Sequence, residues 1–309
     1  MKNEFYFLSR DQRTQIHAVE WIPDGEVRAV VQICHGMVEY IDRYHDFAQY
    51  LSERGYYVIG NDHLGHGKSV CGESEYGFFG SKDGNKFVIG DIHKLRTKTA
   101  DKYPDVPYFM LGHSMGSFLL RQYLQMHGRG LQGAVIMGTG DKSPVVLMAG
   151  KALCRILMLV KGEHYRSKLV NNMATGSYNR HFYPPRTNSD WLTKDTKIVD
   201  EYVKSPYCTF VFTVNAYYHM FSGMLELTKK DNLNRISKRL PLFFVAGEQD
   251  PVGGFGKDVE KVYNRYKDCG IKDVTLKLYP DDRHEILNET DRDQVYSDIL
   301  EWLEEHRKR

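Results

Sequence analysis

The sequence predicts an α/β fold, a mostly parallel, doubly wound sheet of about eight strands with a helical insertion after the sixth strand. The first observation is a series of short, continuous apolar runs, which are typical of strands buried on both faces. The second is that most of these runs alternate with helical patterns, and such alternation gives parallel strands with helices on both sides of the sheet. The third is that the alternation stops between residues 141 and 235, where the chain becomes helical and aromatic.

The strands are predicted from eight apolar runs bounded by turn residues. In chain order they are Phe5–Leu8, Ile16–Trp21, Ala29–Cys34, Tyr56–Gly60, Pro107–Leu111, Gly133–Gly138, Leu242–Ala246 and Val274–Tyr279. A polar turn separates the first two, which predicts an antiparallel start to the sheet. The helices outside the insertion are predicted at about Tyr44–Arg54, Lys86–Tyr103, Ser117–Leu124, Gly256–Cys269 and Asp291–His306. We therefore expect a core of residues 1–140 and 236–309 and a helical cap of residues 141–235.

Composition excludes several classes of protein. Charged residues make up 27% of the 309 residues and the net charge is +2, so neither nucleic acid nor a strongly acidic partner is indicated. The five cysteines are odd in number and never form C-x-x-C, which argues against a disulfide framework or a zinc site and favours reduced thiols in a cytoplasm. No continuous apolar run precedes Arg10, so we expect no signal peptide.

One apolar segment of the insertion, Val145–Val160, is too short to span a bilayer, which needs ~20 apolar residues, and Lys151 and Arg155 interrupt it. These two charges lie on one helical face. The opposite face carries Met148, Ala152, Ile156 and Leu159. The pattern favours a helix whose apolar face packs on its own protein, and the alternative is a helix that contacts lipid surfaces.

The clearest motif is the G-x-S-x-G stretch Gly112–Gly116, with an apolar run before it and a helical pattern after it. A serine on a sharp strand-to-helix turn has this context. The turn leaves little room two positions before and after the serine, where glycine avoids a clash. The motif therefore predicts Ser114 as a nucleophile, with backbone N–H groups of the following helix near the reacting atom.

A serine hydroxyl is a weak nucleophile unless a base accepts its proton and an acid orients that base. On a sheet of this kind, the acid and then the histidine follow the serine in loops after late strands. Of the 13 histidines, His284 is the one after the serine that lies in such a loop. Asp250 directly follows a strand and is the favoured acid, with Asp281 and Asp282 as competitors. Because a histidine base must be neutral, activity is expected to fall on acidification.

Charge that develops on a substrate carbonyl oxygen requires fixed donors. The backbone N–H of Met115 is the first, and Met37 is expected to supply the second from the loop after the third strand, where Gly36 permits a close approach.

The loop that contains Asp62, His63 and His66 raises the question of a metal site. Its histidines lie three apart in a loop rather than four apart on a helix, and no distant carboxylate completes a ligand set. We therefore expect a structural loop, with no metal and no cofactor bound to the protein.

Several motifs together resemble the monoacylglycerol lipase and lysophospholipase group of α/β-hydrolases, which are serine aminopeptidase S33-like. These motifs are His35-Gly36 with Glu39, Arg43 and Tyr44, the loop Asp62–Ser69, Gly112–Gly116, Asp190-Trp191-Leu192, Asp250-Pro251-Val252, and His284-Glu285. The resemblance covers essentially the whole chain. It implies an α/β-hydrolase fold, a serine hydrolase without cofactor, a helical cap over a lipid-accepting pocket, and Ser114, Asp250 and His284 as the triad. Met37 and Val38 depart from the pattern, because many relatives have a small residue or glycine there.

The leading hypothesis is hydrolysis of monoacylglycerol-type or lysophospholipid-type esters through an acyl-enzyme, with transient contact between the cap and a membrane surface. A short-chain carboxylesterase and a non-catalytic binding module are alternatives. An aminopeptidase is another, and it requires an acidic group in the cap to hold the substrate ammonium. The candidates are Glu163, Asp190, Asp195, Asp200, Glu201 and Glu226, in a segment where Lys and Arg outnumber Asp and Glu.

Overall fold

The computed structural model describes residues 1–308, and eight strands in that part of the chain form one sheet. They are β1 (Lys2–Leu8), β2 (Gln15–Trp21), β3 (Ala29–Cys34), β4 (Tyr56–Asn61), β5 (Tyr108–His113), β6 (Gly133–Met137), β7 (Leu242–Gly247) and β8 (Val274–Tyr279). Their order across the sheet is β1-β2-β4-β3-β5-β6-β7-β8. The β1–β2 and β2–β4 pairs are antiparallel and the others are parallel. The predicted fold class is confirmed, and β1 begins three residues before its predicted start because Lys2 pairs with Trp21.

Ten α-helices accompany the sheet within residues 1–308. They are α1 (His45–Ser52), α2 (Gly84–Lys102), α3 (Met115–His127), α4 (Pro144–Lys161), α5 (Lys168–Thr175), α6 (Thr196–Lys204), α7 (Val214–Glu226), α8 (Lys230–Asn234), α9 (Lys257–Asp268) and α10 (Arg292–Arg307). Five of them lie in the segment between β6 and β7. That segment contributes no strand to the described sheet.

The sheet separates two apolar cores. Consecutive residues of a strand point to opposite faces, so Val30 belongs to one core and Val31 to the other. One face packs against α2, α3 and α9, and the opposite face against α1 and α10. Since both faces are covered, the central strands are mostly apolar, which is why they could be predicted from the sequence.

Helix α4 packs through a different face from the one predicted. Its buried residues are Leu147, Gly150 and Cys154. Gly150 lets the helix approach α7, because a Cβ at this position would lie 2.9 Å from the ring of Phe221. The predicted inward face is instead exposed, at Met148, Ala152, Ile156 and Leu159. The expectation that this apolar face packs on the protein is therefore wrong.

Helix α7 begins at Val214, after a capping threonine. The hydroxyl of Thr213 accepts a hydrogen bond from the N–H of Ala216 at 3.1 Å and caps the helix. Phe210 therefore lies in the irregular segment before the helix. No helix in residues 1–308 has both the length and the apolar character that crossing a bilayer requires.

Candidate active site

The turn between β5 and α3 places Ser114 at the carboxyl edge of the sheet. Ser114 has φ 53° and ψ −120°, a strained backbone conformation of the kind that concentrates at functional sites. Gly112 and Gly116, two positions before and after Ser114, cannot carry a larger side chain without a steric clash. A Cβ on Gly116 would lie 2.0 Å from the carbonyl oxygen of Cys34, and one on Gly112 would lie 2.5 Å from the carbonyl oxygen of Gly116. The close contact of α3 with β3 therefore fixes the position of the serine.

His284 and Asp250 lie in the loops after β8 and β7. The Nδ1 atom of His284 is 3.0 Å from Oδ2 of Asp250, and both side chains are buried. The other carboxylate oxygen of Asp250 accepts a hydrogen bond from the N–H of Val252 at 2.8 Å. Of the two competing acids, Asp282 is bonded to Lys194 at 2.8 Å, and Asp281 is exposed. The carboxylate beside His284 is therefore that of Asp250.

Ser114 and His284 line one large cavity of about 640 Å³ beneath the segment between β6 and β7. Met37 and Met115, the residues predicted to donate backbone N–H groups, line the same cavity. Because Met115 is the first residue of α3, its N–H has no partner within the helix. Most of the remaining wall is apolar, including Phe118, Leu147, Leu153, Met220, Phe221 and Met224. The serine therefore opens into a space suited to an apolar substrate.

The loop after β3 approaches the serine closely. A Cβ on Gly36 would lie 3.0 Å from the Cβ of Ser114, which explains the glycine. Two residues later, Val38 has φ 57°, a left-handed conformation that is rare for a β-branched side chain. The hydroxyl of Tyr202 in α6 donates to the carbonyl oxygen of Val38 at 3.0 Å. A strained backbone, supported by α6, thus presents Gly36 and Met37 to the serine.

A buried ion network lies behind this loop, and it consists of Glu39, Arg43 and Glu285 with Tyr44 and His113. The carboxylate of Glu39 accepts hydrogen bonds from the N–H of Gly36 and from the Tyr44 hydroxyl, the latter at 2.9 Å. Arg43 donates to Glu39 at 2.9 Å and to both oxygens of Glu285 at 2.6 and 2.7 Å. The network therefore links the loop after β3 to the residue that follows His284.

His113 extends the buried ion network to the loop after β8. Its Nδ1 is 3.1 Å from Glu39, and its Nε2 is 3.2 Å from the carbonyl oxygen of His284. Burial alone would lower the pKa of His113, but the hydrogen bond and charge of Glu39 raise it above its usual value. Burial would raise the pKa of Glu39, yet His113 and Arg43 hold it well below its usual range. The groups therefore stabilise one another in their charged forms.

In the sequence, Glu39, Arg43, Tyr44 and Glu285 contribute to the family resemblance, and no local pattern assigns them a role. His113 occupies a variable position of the G-x-S-x-G motif. The spacing of Glu39, Arg43 and Tyr44 after His35-Gly36 was the available signal.

The loop Asp62–Ser69 supports β3 and the loop that follows it. Asp62 accepts hydrogen bonds from the N–H groups of Ile41 and Lys68, both at 2.8 Å. The N–H of His63 donates to Nε2 of His35 at 2.8 Å. Burial lowers the pKa of His63 well below its usual value and that of His66 to about 3, so both rings are neutral. These contacts support the expectation of a structural loop.

A separate group of acidic side chains has oxygen atoms within 4.8 Å of one another, and it consists of Asp282, Glu289 and Asp291. The ammonium group of Lys194 lies among them, 2.8 Å from Asp282, 4.0 Å from Glu289 and 3.9 Å from Asp291. This cluster does not line the cavity that contains Ser114. Lys194 therefore already supplies a cation to these carboxylates.

Backbone hydrogen bonds join the loop after β8 to the segment between α5 and α6. The N–H of Glu285 donates to the carbonyl oxygen of Leu192 at 2.7 Å, and the N–H of His284 donates to that of Trp191 at 3.4 Å. The ring of Trp191 lies 5.0 Å from the imidazole of His284, measured between centroids. This part of the insertion therefore forms a fixed wall beside the histidine.

The sequence and the fold are similar to those of known hydrolases. The family described as serine aminopeptidase, S33, matches residues 25–291. A monoacylglycerol lipase of Mycolicibacterium smegmatis is 26% identical over 294 residues, which cover 93% of this chain and 91% of that protein. A monoglyceride lipase of Rattus norvegicus is 25% identical over 298 residues, which cover 92% and 84%. The crystal structure of a thermostable carboxyl esterase from Bacillus coagulans, in complex with glycerol, has a TM-score of 0.92 and 30% identity and covers 99% of both chains.

Proposed function

Since the chain belongs to the serine aminopeptidase S33 family and is a carboxylic-ester hydrolase, we propose that it cleaves esters of monoacylglycerol or lysophospholipid type with Ser114 as nucleophile. The observation that supports this most directly is the hydrogen bond between His284 and Asp250 at the wall of a mostly apolar cavity that Ser114 also lines. The monoacylglycerol and monoglyceride lipases among its relatives support the same substrate class.

In the proposed reaction, His284 acts through Nε2, because Nδ1 is bonded to Asp250. Nε2 accepts the proton of the Ser114 hydroxyl while the oxygen attacks the ester carbonyl carbon. The bond to the alcohol oxygen then breaks, and that oxygen takes the proton from His284. Water then attacks the carbonyl carbon of the acyl-enzyme and gives a proton to the same nitrogen. The bond from that carbon to Ser114 breaks, the serine oxygen takes the proton from His284, and the fatty acid is released.

The backbone N–H groups of Met37 and Met115 are the proposed donors to the carbonyl oxygen when it becomes negatively charged. Each such donor contributes roughly a hundred- to a thousandfold in rate. Gly36 lies against Ser114, and this contact supports the assignment to the loop after β3. Neither donor is a side chain, so alanine substitution at these positions retains both.

The aminopeptidase alternative lacks a binding group for a substrate ammonium. The acidic side chains that line the cavity in the described part of the chain are Glu39 and Glu285, and Arg43 is bonded to both. The six acidic candidates in the insertion do not line the cavity. An ester substrate without a cationic group therefore fits this cavity better than a peptide N-terminus.

The size of the cavity favours a long acyl chain over a short one. Pockets of roughly 300–1,000 Å³ enclose most of a drug-sized ligand, and this cavity has about 640 Å³. An acetyl ester would leave most of the apolar wall in contact with water. We propose that residues 141–235 act as the cap, since α4, α5 and α7 all contribute to the wall.

We further propose transient contact between this cap and a membrane surface. Helices α4 and α5 carry exposed apolar side chains that do not line the cavity, which are Val145, Met148, Ile156, Leu159, Val160 and Leu169. A group of this kind on a helix surface is typical of proteins that bind at lipid interfaces. A reducing, cytoplasmic location is proposed from the five free cysteines, of which Cys71 is exposed.

The nucleophile is tested with the variant Ser114→Ala. We expect it to lose covalent labelling by a fluorophosphonate and at least a thousandfold of its esterase activity. The matched control is Ser74→Ala, which removes the hydroxyl of an exposed serine that is distant from Ser114 in the sequence. This variant should be labelled like the wild type. Continued labelling of Ser114→Ala would exclude Ser114 as the nucleophile.

The substrate class is tested with p-nitrophenyl esters from acetyl to palmitoyl, together with a monoacylglycerol and lysophosphatidylcholine. We expect kcat/KM to rise with chain length as more of the apolar wall is covered. An optimum at acetyl would instead identify a short-chain carboxylesterase.

A further inference from the structure

Lys142 is the one lysine among the described lining residues of the cavity, and these residues include no arginine. Both acidic residues of the wall, Glu39 and Glu285, are bonded to Arg43, and the imidazole of His113 lies beside Glu39. Lys142 itself forms no ion pair with any residue of the described chain, 1–308. The ammonium group of Lys142 can therefore pair with an anionic ligand in the cavity.

The acid next to Lys142 in the sequence is already occupied. Asp141 accepts hydrogen bonds from Arg265 at 2.9 and 2.8 Å, and Lys261 lies 2.8 Å from the same carboxylate. These two cations hold Asp141 toward α9. An anionic ligand in the cavity therefore does not compete with Asp141 for the ammonium group of Lys142.

We propose that Lys142 is a specificity-determining residue, which binds an anionic group carried by the ester substrate. The inference rests on the ester hydrolysis proposed above and adds, within that substrate class, a preference for esters that carry a carboxylate or phosphate. Lys142 is partly buried in the loop between β6 and α4. The first turn of α4 lines the cavity beside it at Val146 and Leu147, and the positive end of the helix dipole adds to the same potential.

The expected effect follows from Coulomb's law. Two opposite charges in contact attract more strongly near a protein surface than in water, because the effective dielectric constant is lower there. Part of this attraction is offset by desolvation of the two groups. Removal of the ammonium should therefore lower the preference for an anionic substrate by about tenfold.

The anion can belong to either half of the ester, so the experiment has two arms with matched substrates. The alcohol arm compares 1-octanoylglycerol with 1-octanoylglycerol 3-phosphate. The acyl arm compares p-nitrophenyl hexanoate with the mono-p-nitrophenyl ester of adipic acid, which has the same number of acyl carbons and ends in a carboxylate. In each arm, the measured quantity is the ratio of kcat/KM for the anionic ester to kcat/KM for the neutral one.

We expect Lys142→Met to lower this ratio about tenfold in at least one arm and Lys142→Glu to lower it further, while Lys142→Arg retains it. The wild-type ratio should fall with added salt, because screening weakens the attraction, and the ratio of Lys142→Met should depend less on salt. The matched control is Lys161→Met, which removes the same charge from the exposed opposite end of α4, roughly 25 Å away along the helix. This control should leave the ratio unchanged.

A loss confined to the alcohol arm assigns the anion to the head group, and a loss confined to the acyl arm assigns it to the chain terminus. Unchanged ratios for Lys142→Met in both arms would overturn the inference even though the neutral esters are hydrolysed. Failure of the wild type to hydrolyse any of the four esters would instead overturn the proposed ester hydrolysis, so the two results are distinct.

Discussion

Glu39 is bonded to several of the segments that surround Ser114. Its carboxylate accepts hydrogen bonds from Gly36, Arg43 and Tyr44 and lies beside the imidazole of His113. Each of these partners belongs to, or directly contacts, a segment that borders Ser114. Glu39 is 3% exposed, so these contacts replace the water that a carboxylate would otherwise bind.

The variant Glu39→Gln tests this role, because it retains the size of the side chain and one acceptor oxygen but removes the charge. We expect kcat to fall by roughly ten- to a hundredfold while KM changes less, since the loop that presents Gly36 and Met37 is held less firmly. Loss of one partner from a buried ion network should also lower the free energy of unfolding by about 2–4 kcal/mol. Steady-state kinetics and denaturant unfolding measure the two effects.

The control for this variant is Glu73→Gln, which makes the same change at an exposed site. It should alter neither quantity. If Glu39→Gln lowered the free energy of unfolding but left kcat unchanged, the network would stabilise the fold without positioning the catalytic groups.

Local signals in the sequence mark the residues that are proposed to carry the reaction. Ser114 lies between Gly112 and Gly116, and Asp250 and His284 lie in the loops that follow β7 and β8. The partnership of Arg43 with Glu285 joins residues 242 positions apart, and no local pattern indicates which acid meets which base. Contacts of this kind are set by the register of the sheet, so they became visible only in the structure.

At the scale of secondary-structure elements, α2 holds the turn between β1 and β2 through one buried acid. The carboxylate of Asp91 accepts hydrogen bonds from the hydroxyl of Ser9 at 2.7 Å and from the N–H of Arg10 at 2.6 Å. Burial raises the pKa of Asp91 to about 7. The nearest charges, those of Asp11 and Lys94, oppose each other in their effect on this pKa.

A carboxyl group whose pKa is higher in the folded chain stabilises the fold while it is protonated. The contribution of Asp91 is therefore full below about pH 4, the usual range of an aspartate, and is lost as pH rises through about 7. Between pH 5 and pH 8, the wild type should lose free energy of unfolding as Asp91 ionises, and Asp91→Asn should lose less. We expect the two losses to differ by about 1–3 kcal/mol. Denaturant unfolding at the two pH values measures the difference. Asp24→Asn, at an exposed position, should behave as the wild type, and a decrease in Asp91→Asn equal to that of the wild type would contradict the prediction.

The elements themselves were largely predictable, and the exceptions have a physical reason. Strands buried on both faces are mostly apolar, so their positions follow from the apolar runs in the sequence. The buried face of α4 depends on which helix it meets, and it meets α7 through Gly150 rather than through its most apolar side. Amphipathic spacing indicates that a helix has an apolar face, but it does not indicate whether protein or lipid covers that face.

At the scale of the whole molecule, the exposed apolar surface and the cavity belong to the same segment. Leu159 is 81% exposed and Ile156 is 58% exposed on α4, while Leu147 of the same helix lines the cavity. The path of a substrate from a membrane at this surface to the cavity would therefore be no longer than the thickness of the proposed cap.

The double variant Ile156→Glu with Leu159→Glu tests contact between the cap and a membrane. We expect its bound fraction on phosphatidylcholine vesicles to fall at least tenfold, because burial of each of these side chains in lipid contributes about 1.5–3 kcal/mol. Cosedimentation measures the bound fraction. Met126→Glu introduces one glutamate at an exposed apolar residue of α3 and should bind as the wild type does, whereas equal binding by all three proteins would exclude this surface of α4.

The position of the insertion in the sheet bears on how such a molecule can evolve. Strands β6 and β7 are hydrogen-bonded neighbours, with Met137 paired to Val245, so the segment between them leaves and re-enters the sheet at adjacent points. A segment attached in this way can be exchanged, lengthened or rebuilt without any change in strand order. The residues on the carboxyl edges of β5, β7 and β8 would remain in register throughout. Selection can thus alter which ester is admitted, through the segment that contains Lys142, while the groups proposed to break the ester bond stay in place.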